Sequence, residues 1–268
     1  MKNLSNYILE AKNKNLDIDR RQPKSRSELE MLISSAFKRK QYDLNFIDTS
    51  KITDMSKLFK TVKHDFDVSS WDVSNVKDMS YMFGSCYKFT GKGLENWDVS
   101  NVTNMMWMFS ACYNFTGKGL ENWNVQSGRD FSNMFYDAFS KNTKIELDLS
   151  NWNFNSINGV NATEMFAIFG KKAQSIMLNV NNWSVNSVFS FANSFCLFGL
   201  EATHVKITGI ENWKMHNKMD VSGMFAKFAP NSDWYPNLSK WDMKGILPYK
   251  HEEFATGLFF KIREPEWG

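Results

Sequence analysis

WDVSNVKDMSYMFGSCYKF (residues 71–89) is followed 26 residues later by WDVSNVTNMMWMFSACYNF (residues 97–115). The tryptophan that opens both stretches recurs along the chain at intervals of 26 to 31 residues, and an isoleucine holds the same slot 24 residues before the first of them. The eight markers are Ile47, Trp71, Trp97, Trp123, Trp152, Trp183, Trp213 and Trp241. Self-similarity at such a period is typical of arrays in which each unit needs its neighbours to bury its apolar side chains.

Each unit combines two periodicities. Met79, Met82, Phe83 and Cys86 follow the spacing i, i+3, i+4, i+7, which predicts one apolar stripe on a short helix. Around Trp97 the period falls to two, which predicts a short strand. The sequence therefore predicts an α/β fold, a leucine-rich-repeat-like solenoid of about eight strand-plus-short-helix units with N- and C-terminal caps. The strands should form one continuous parallel sheet backed by a row of helices.

The repeat pattern divides the chain into four predicted parts. Residues 1–24 are a basic leader, 25–42 an N-terminal capping helix, 43–245 the repeat solenoid and 246–268 a C-terminal cap. The motif Ser27-Glu28-Leu29-Glu30 has the form of a capping box and motivates the helix. The aromatic side chains expected to cover the other end are Phe259, Phe260 and Trp267.

Composition excludes several classes of protein. Hydrophobic residues make up 43% of the 268 positions, which is enough for a large core, and the three cysteines are too few and odd for a disulfide scaffold. The N-terminus lacks the apolar run of a signal peptide, and no stretch approaches the ~18 apolar residues of a membrane span. The chain is therefore expected to be soluble and cytoplasmic. Its net charge of +3 arises in residues 1–40, which hold ten Lys or Arg and five Asp or Glu.

The repeated string W-D-V-S-N-V-x-x-M-x-x-M-F-x-x-C-x-x-F resembles the BspA-like leucine-rich-repeat surface proteins, also called the DUF285 or mycoplasma lipoprotein-associated repeat. The resemblance covers about residues 43–245. Relatives of this family are typically bacterial surface proteins that bind host proteins or other cells, so it implies a binding role. This chain departs from the pattern because it lacks an export signal. Residues 25–59 also resemble the N-terminal cap of such arrays in gut bacteria and their tailed phages, and the opening MKNLSNYILEA is similar to the start of small phage-encoded proteins.

No combination of residues predicts catalysis, a metal site or a cofactor. Gly91-Lys92-Gly93 lacks the spacing of a phosphate-binding loop and follows the elements in the wrong order, so it predicts a turn. Cys86 and Cys112 share one register without further zinc ligands nearby, which favours a buried, reduced pair. The chain is therefore predicted not to be an enzyme.

Two sets of side chains are candidates for contact with a protein partner. The first set follows the markers and either caps turns or faces a cation or a basic partner: Asp48, Asp72 and Asp98. The second set lies opposite the Met/Phe stripe and forms either a contact patch or isolated surface residues: Tyr81, Met106 and Trp107.

Two functions remain open. The first is a non-catalytic scaffold that binds a macromolecular, protein partner through the solenoid surface. The alternative is a structural or cargo protein of a phage particle, virion-associated and docked by the basic leader through Arg20, Arg21, Lys24 and Arg26. Nucleic acid is not expected as a partner, because no aromatic residue interleaves with these charges.

Overall fold

The computed structural model describes residues 20–154, 159–257, 262 and 265–267. Its α-helix, α1, spans Arg26–Lys38. The strands are β1 (Lys144–Asp148), β2 (Val160–Asn161), β3 (Ser175–Asn179), β4 (Val188–Ser190), β5 (His204–Thr208), β6 (Asp242–Met243) and β7 (Glu266–Trp267). Short 3-10 helices span Leu94–Asn96, Leu120–Asn122, Ile210–Asn212 and Pro248–Lys250.

The strands form small parallel sheets between neighbouring units. The largest sheet has the order β1-β3-β5, and the other two pair β2 with β4 and β6 with β7. In the largest sheet, Ile145 lies beside Ile176, which lies beside Val205, and all three are buried. The expectation of one continuous sheet was wrong for the described residues, because the first three units contribute only isolated parallel bridges.

The Met/Phe stripes form successive turns, and the helix predicted in each unit is absent from the described residues. The N–H of Met82 donates to the carbonyl of Met79 at 3.1 Å, whereas the N–H of Tyr81 donates to Met106 of the next unit at 2.8 Å. The backbone has a positive φ at Tyr81 (56°) and again at Ser85 (60°). Hydrogen bonds thus alternate between the unit itself and its neighbour, whereas an α-helix would keep all of them within the unit.

Both positive-φ positions recur in eight units. The first position is held by Lys57, Tyr81, Trp107, Asn133, Glu164, Asn193, Gly223 and Glu253, and the second by Thr61, Ser85, Ala111, Asp137, Ile168, Leu197, Lys227 and Gly257. The last members extend the repeated turns to residue 257. The predicted boundary of the C-terminal cap at residue 246 was therefore too early. Phe259 and Phe260 lie outside the described residues, while Trp267 packs partly buried against the core.

The tryptophan markers are buried, but within the described residues the strand predicted around them forms only beside Trp241, at Asp242–Met243. Trp97 and Trp123 have extended backbone at the ends of 3-10 helices. Their rings stack in register, with centroids 6.4 Å apart and planes 5° apart. The indole nitrogen of Trp123 donates to the carbonyl of Leu94 in the preceding unit at 3.0 Å. The markers therefore join the units through side chains.

A second ladder of buried rings runs beside the tryptophans. The rings of Phe83 and Phe109 have centroids 5.5 Å apart and planes 7° apart. The same stacking, with centroids at most 5.8 Å apart, continues through seven units from Phe59 to Phe225. Burial of aligned aromatic rings supplies much of the apolar contact between units.

The Gly-Lys-Gly segments form turns, as predicted. Gly93 has a φ of 95°, and a Cβ atom at this position would clash with the Cα of Ser69. Gly119 repeats the arrangement against Glu95. Only glycine permits both the backbone conformation and the close approach of the neighbouring unit.

Helix α1 covers the first unit with its buried residues Leu29, Ile33 and Ala36. Its N-cap is Ser25, whose hydroxyl accepts the N–H of Glu28 at 3.2 Å. The helix therefore begins two residues before the motif at Ser27 predicts, because Ser25 also stands three residues before a glutamate.

The predicted separation of the leader at residue 24 was wrong for residues 20–24. The N–H of Arg21 donates to the carbonyl of Phe46, and the N–H of Asp48 donates to the carbonyl of Arg21, both at 3.0 Å. Residue 21 thus pairs with the first unit as a neighbouring unit would. Residues 1–19 of the predicted leader lie outside the described residues.

Candidate partner-binding surface

Three aromatic side chains from successive units form a continuous row on the surface, which we name the aromatic strip: Tyr81, Trp107 and Tyr136. The rings of Tyr81 and Trp107 are stacked, with centroids 5.5 Å apart and planes 5° apart. Trp107 and Tyr136 follow at 5.3 Å with a tilt of 43°. All three are half-buried, whereas the neighbouring Met82 and Met108 are fully buried. The stack thus brings together Tyr81 and Trp107, as the sequence suggested, and adds Tyr136.

Two cations flank one end of the aromatic strip, and we name Lys57 and Lys60 the lysine end. The Lys60 ammonium lies 4.9 Å from the centroid of the Tyr81 ring, and that of Lys57 lies 6.0 Å away. A cation at such distances is attracted to the negative face of the ring. The contact covers the face of Tyr81 that Trp107 leaves open.

Two carboxylates flank the other end, and we name Asp137 and Glu164 the acidic end. Burial raises the pKa of the Tyr136 hydroxyl, and the charges of Glu164 and Asp137 raise it further. Asp137 also accepts a hydrogen bond from the hydroxyl of Tyr113 at 3.3 Å. The surface therefore changes from positive to negative charge along five successive units.

The polar atoms of the aromatic strip are free for a partner. Among the described residues, none forms a hydrogen bond with the Tyr81 hydroxyl, the Trp107 indole nitrogen or the Tyr136 hydroxyl. These rings are exposed enough for water to satisfy them. Half-buried rings with a free polar tip are common anchors at protein interfaces.

Met106 directly precedes Trp107 of the aromatic strip and offers mainly apolar surface. It is half-buried, and its N–H donates to the side-chain oxygen of Asn104 at 3.1 Å. Its flexible thioether can adapt to a partner that contacts Trp107.

The aspartates that follow the markers cap turns. Asp48, Asp72 and Asp98 each accept, at 3.0 Å, the N–H of the serine two residues later. Hydrogen bonds from Ser50 lower the pKa of Asp48, and those from Ser100 lower the pKa of Asp98. Among the described residues, no hydrogen bond or ring contact joins these carboxylates to the aromatic strip.

A second polar column was missed by the sequence analysis. It consists of side chains that accept the N–H two residues later and lie three residues before the first positive-φ position: Asp54, Asp78, Asn104, Asp130, Asn161, Ser190 and Asp220. Parallel bridges connect the first five of them in order. The sequence carries a visible signal for it, since the pattern Asp-x-Ser occurs at four of the seven positions.

Two of the four arginine and lysine residues proposed for docking contact the chain itself through their side chains, and the other two do so through their backbone. Arg20 donates to the carbonyl of Ser70 at 2.8 Å, and the backbone of Arg21 pairs with the first unit. Arg26 forms ion pairs with Glu30 at 3.1 Å and Asp54 at 2.7 Å. Lys24 is exposed, and its N–H donates to Glu28. The guanidinium of Arg26 is thus engaged in covering the first unit.

The cysteines show no arrangement for chemistry. Cys86 and Cys112 are buried and free, and their thiols donate to the carbonyls of Phe59 and Phe83 at 2.8 and 2.9 Å. Burial raises the pKa of Cys86 to about 12.

Within the described ranges, no group of three or more His, Cys, Asp or Glu could hold a metal ion. No helix in that part of the chain has the length and apolar character needed to cross a membrane.

One family model, described as Mycoplasma protein of unknown function, DUF285, matches the chain three times. The matched stretches overlap and comprise residues 27–146, 88–197 and 136–256. The comparisons with the curated proteins and with the solved structures gave no match. The three matches together extend from helix α1 to the eighth set of turns.

Proposed function

The chain belongs to the DUF285 family of mycoplasma proteins of unknown function, and from this premise we propose that it is a non-catalytic solenoid scaffold that binds a partner protein through the aromatic strip. The observation that carries the proposal is the stacked pair Tyr81 and Trp107, continued by Tyr136. The BspA-like surface proteins that the repeat string resembles support the same class of function.

The orientation of the rings favours a protein over ligands that stack on aromatic faces. One face of Trp107 packs on Tyr81 and the other on Tyr136, while the free face of Tyr81 meets Lys60. Sequence-tolerant binding of single-stranded nucleic acid uses open aromatic faces for the bases. The edges and polar tips that stay free here suit the side chains and backbone of a polypeptide.

The role of a phage-particle protein docked by the leader receives no specific support from the described residues. The side chain of Arg20 already contacts Ser70 beside the second marker, and that of Arg26 contacts the first unit and helix α1. We therefore place the binding surface on the repeated units.

Affinity capture from an extract of the source cells tests the proposal. The test variant combines Tyr81→Gly and Trp107→Gly, since glycine stands at the same positive-φ position in the seventh unit as Gly223. Asn193→Gly changes this backbone position in the sixth unit and serves as the matched control. We expect a protein that wild type and control retain and the double variant loses. Equal retention by all three, with unchanged melting temperatures, would contradict a role of the strip.

A further inference from the structure

We infer that the partner segment on the aromatic strip carries carboxylates where it meets Lys57 and Lys60. The inference rests on the proposed function and adds the chemical class of the partner, an acidic extended peptide with a defined direction.

The free polar groups of the surface are mainly donors. The indole N–H of Trp107 and the ammonium groups of Lys57 and Lys60 can donate hydrogen bonds but cannot accept them. The hydroxyls of Tyr81 and Tyr136 can do both. A partner that satisfies the whole row must therefore bring acceptors, and carboxylates form the strongest hydrogen bonds with ammonium groups.

The lysine end holds positive charge that the chain does not neutralise locally. Both ammonium groups are exposed, and neither pairs with a carboxylate of the described residues. The surrounding chain is also basic, because residues 20–63 contain eleven Lys or Arg and five Asp or Glu, a net charge of +6. An acidic segment would be attracted to this end. The free-energy cost of removing water from the charged groups would be small, because the lysines would remain partly solvated at the rim of the interface.

The acidic end sets the direction of the segment. Asp137 directly follows Tyr136, and Glu164 stands at the first positive-φ position of the next unit. Burial raises the pKa of the Tyr136 hydroxyl and the charges of Glu164 and Asp137 raise it further, so the field of these carboxylates disfavours further negative charge beside it. Four steps between units separate Lys60 from Glu164, about 19 Å at ~4.8 Å a step. An extended peptide covers this length with about six residues. The segment should therefore be acidic at one end and neutral or basic about six residues away.

Direct binding of synthetic peptides tests the inference with the full chain. The probes are peptides of about eight residues with glutamates in one half and serine, leucine and lysine in the other, together with an all-lysine peptide and a short oligothymidylate. Isothermal titration compares wild type with Lys57→Glu/Lys60→Glu and with the control Lys118→Glu/Lys171→Glu. The control reverses two exposed lysines in other columns of the stack. Tyr81→Gly/Trp107→Gly is measured beside them.

The inference predicts that the half-acidic peptide binds wild type at low ionic strength and that binding weakens as salt rises. Charge reversal at Lys57 and Lys60 should weaken binding at least about tenfold, the strip variant should weaken it, and the control should leave it within about twofold. Equal loss in the control, no binding of the half-acidic peptide, or tighter binding of the oligothymidylate would each overturn the inference. The proposed function is tested separately. It fails if affinity capture retains the same proteins when the aromatic strip is mutated.

Discussion

The side chain of Arg26 replaces a backbone hydrogen-bond donor for Ser56 at the first unit. Its Nη2 donates to the carbonyl oxygen of Ser56. In every later unit the equivalent carbonyl accepts an N–H from the preceding unit, as Ser80 does from Lys57 at 2.8 Å. Nη1 of Arg26 also donates to the Ser56 hydroxyl at 2.8 Å. One planar guanidinium thus covers the open edge of the first turn, where an unpaired edge invites association with other chains.

We expect Arg26→Ala to destabilise the protein by about 1–2 kcal/mol, because it frees a partly buried carbonyl and breaks a half-exposed ion pair with Asp54. Arg26→Lys should recover only part of this, since an ammonium group lacks the planar fork. Denaturant unfolding measures both. Arg39→Ala, which removes only a surface hydrogen bond to Ser35, is the control, and a loss as large as that of Arg26→Ala would contradict the capping role.

Two buried tryptophans separate the contribution of the indole hydrogen bond from that of the ring. Trp123 donates to Leu94, whereas the indole nitrogen of Trp213 is buried without a hydrogen-bond partner among the described residues. Replacement by phenylalanine removes similar ring volume at both positions. Trp123→Phe should therefore cost about 1–3 kcal/mol more than Trp213→Phe, measured by denaturant unfolding. Equal costs would mean that the bonds between marker and preceding unit contribute little.

The positive-φ positions should favour glycine. Thr61 has a φ of 67° and a β-branched side chain, a combination that L residues adopt at a cost of about 1–2 kcal/mol. Thr61→Gly should stabilise the protein by about 1 kcal/mol. Thr53 is also exposed but lies outside the positive-φ set, so Thr53→Gly should destabilise the protein by about 0.5–1 kcal/mol. Thermal unfolding of the pair checks the opposite signs, and a shared sign would refute the conformational argument.

Cysteine ionisation should destabilise the fold only at alkaline pH. Burial raises the pKa of Cys86 to about 12, so the folded state holds the proton while the unfolded thiol loses it near pH 9. Stability linked to this group is complete below about pH 8.5 and declines as the pH rises further. Cys86→Ala should flatten the alkaline limb of a stability profile. In native protein, thiol reagents should modify the half-buried Cys196 well before Cys86 or Cys112.

The sequence predicted which residues face the core, but it did not predict the backbone conformation that places them there. The stripe Met79, Met82, Phe83 and Cys86 is buried as expected. A turn repeating every four residues gives the same apolar spacing as a helix, and what distinguishes the two is the φ of Tyr81 and Ser85. Neither residue type signals a positive φ, because the neighbouring unit imposes it through hydrogen bonds that short-range patterns do not contain.

The candidate surface was predictable only in part. Tyr81 and Trp107 share a slot 26 residues apart, so their contact follows from the period alone. Tyr136 lies three residues further along its unit, and its approach to Trp107 depends on how the side chains lean across the turns. The role of Arg26 was also missed, since a basic residue beside other basic residues gives no sign that it replaces a backbone donor.

The hydrogen bonds between turns join each unit only to the unit before it and the unit after it. A force that pulls residues 20 and 257 apart would therefore act on these interfaces in series, so that each interface between units bears the same force. The weakest interface would open first while the others stayed closed, and the molecule would lengthen in steps of one unit, each releasing about 26 residues between markers such as Trp97 and Trp123. Such a protein resists tension through its least stable contact and can yield gradually where a single cooperative core would rupture at once.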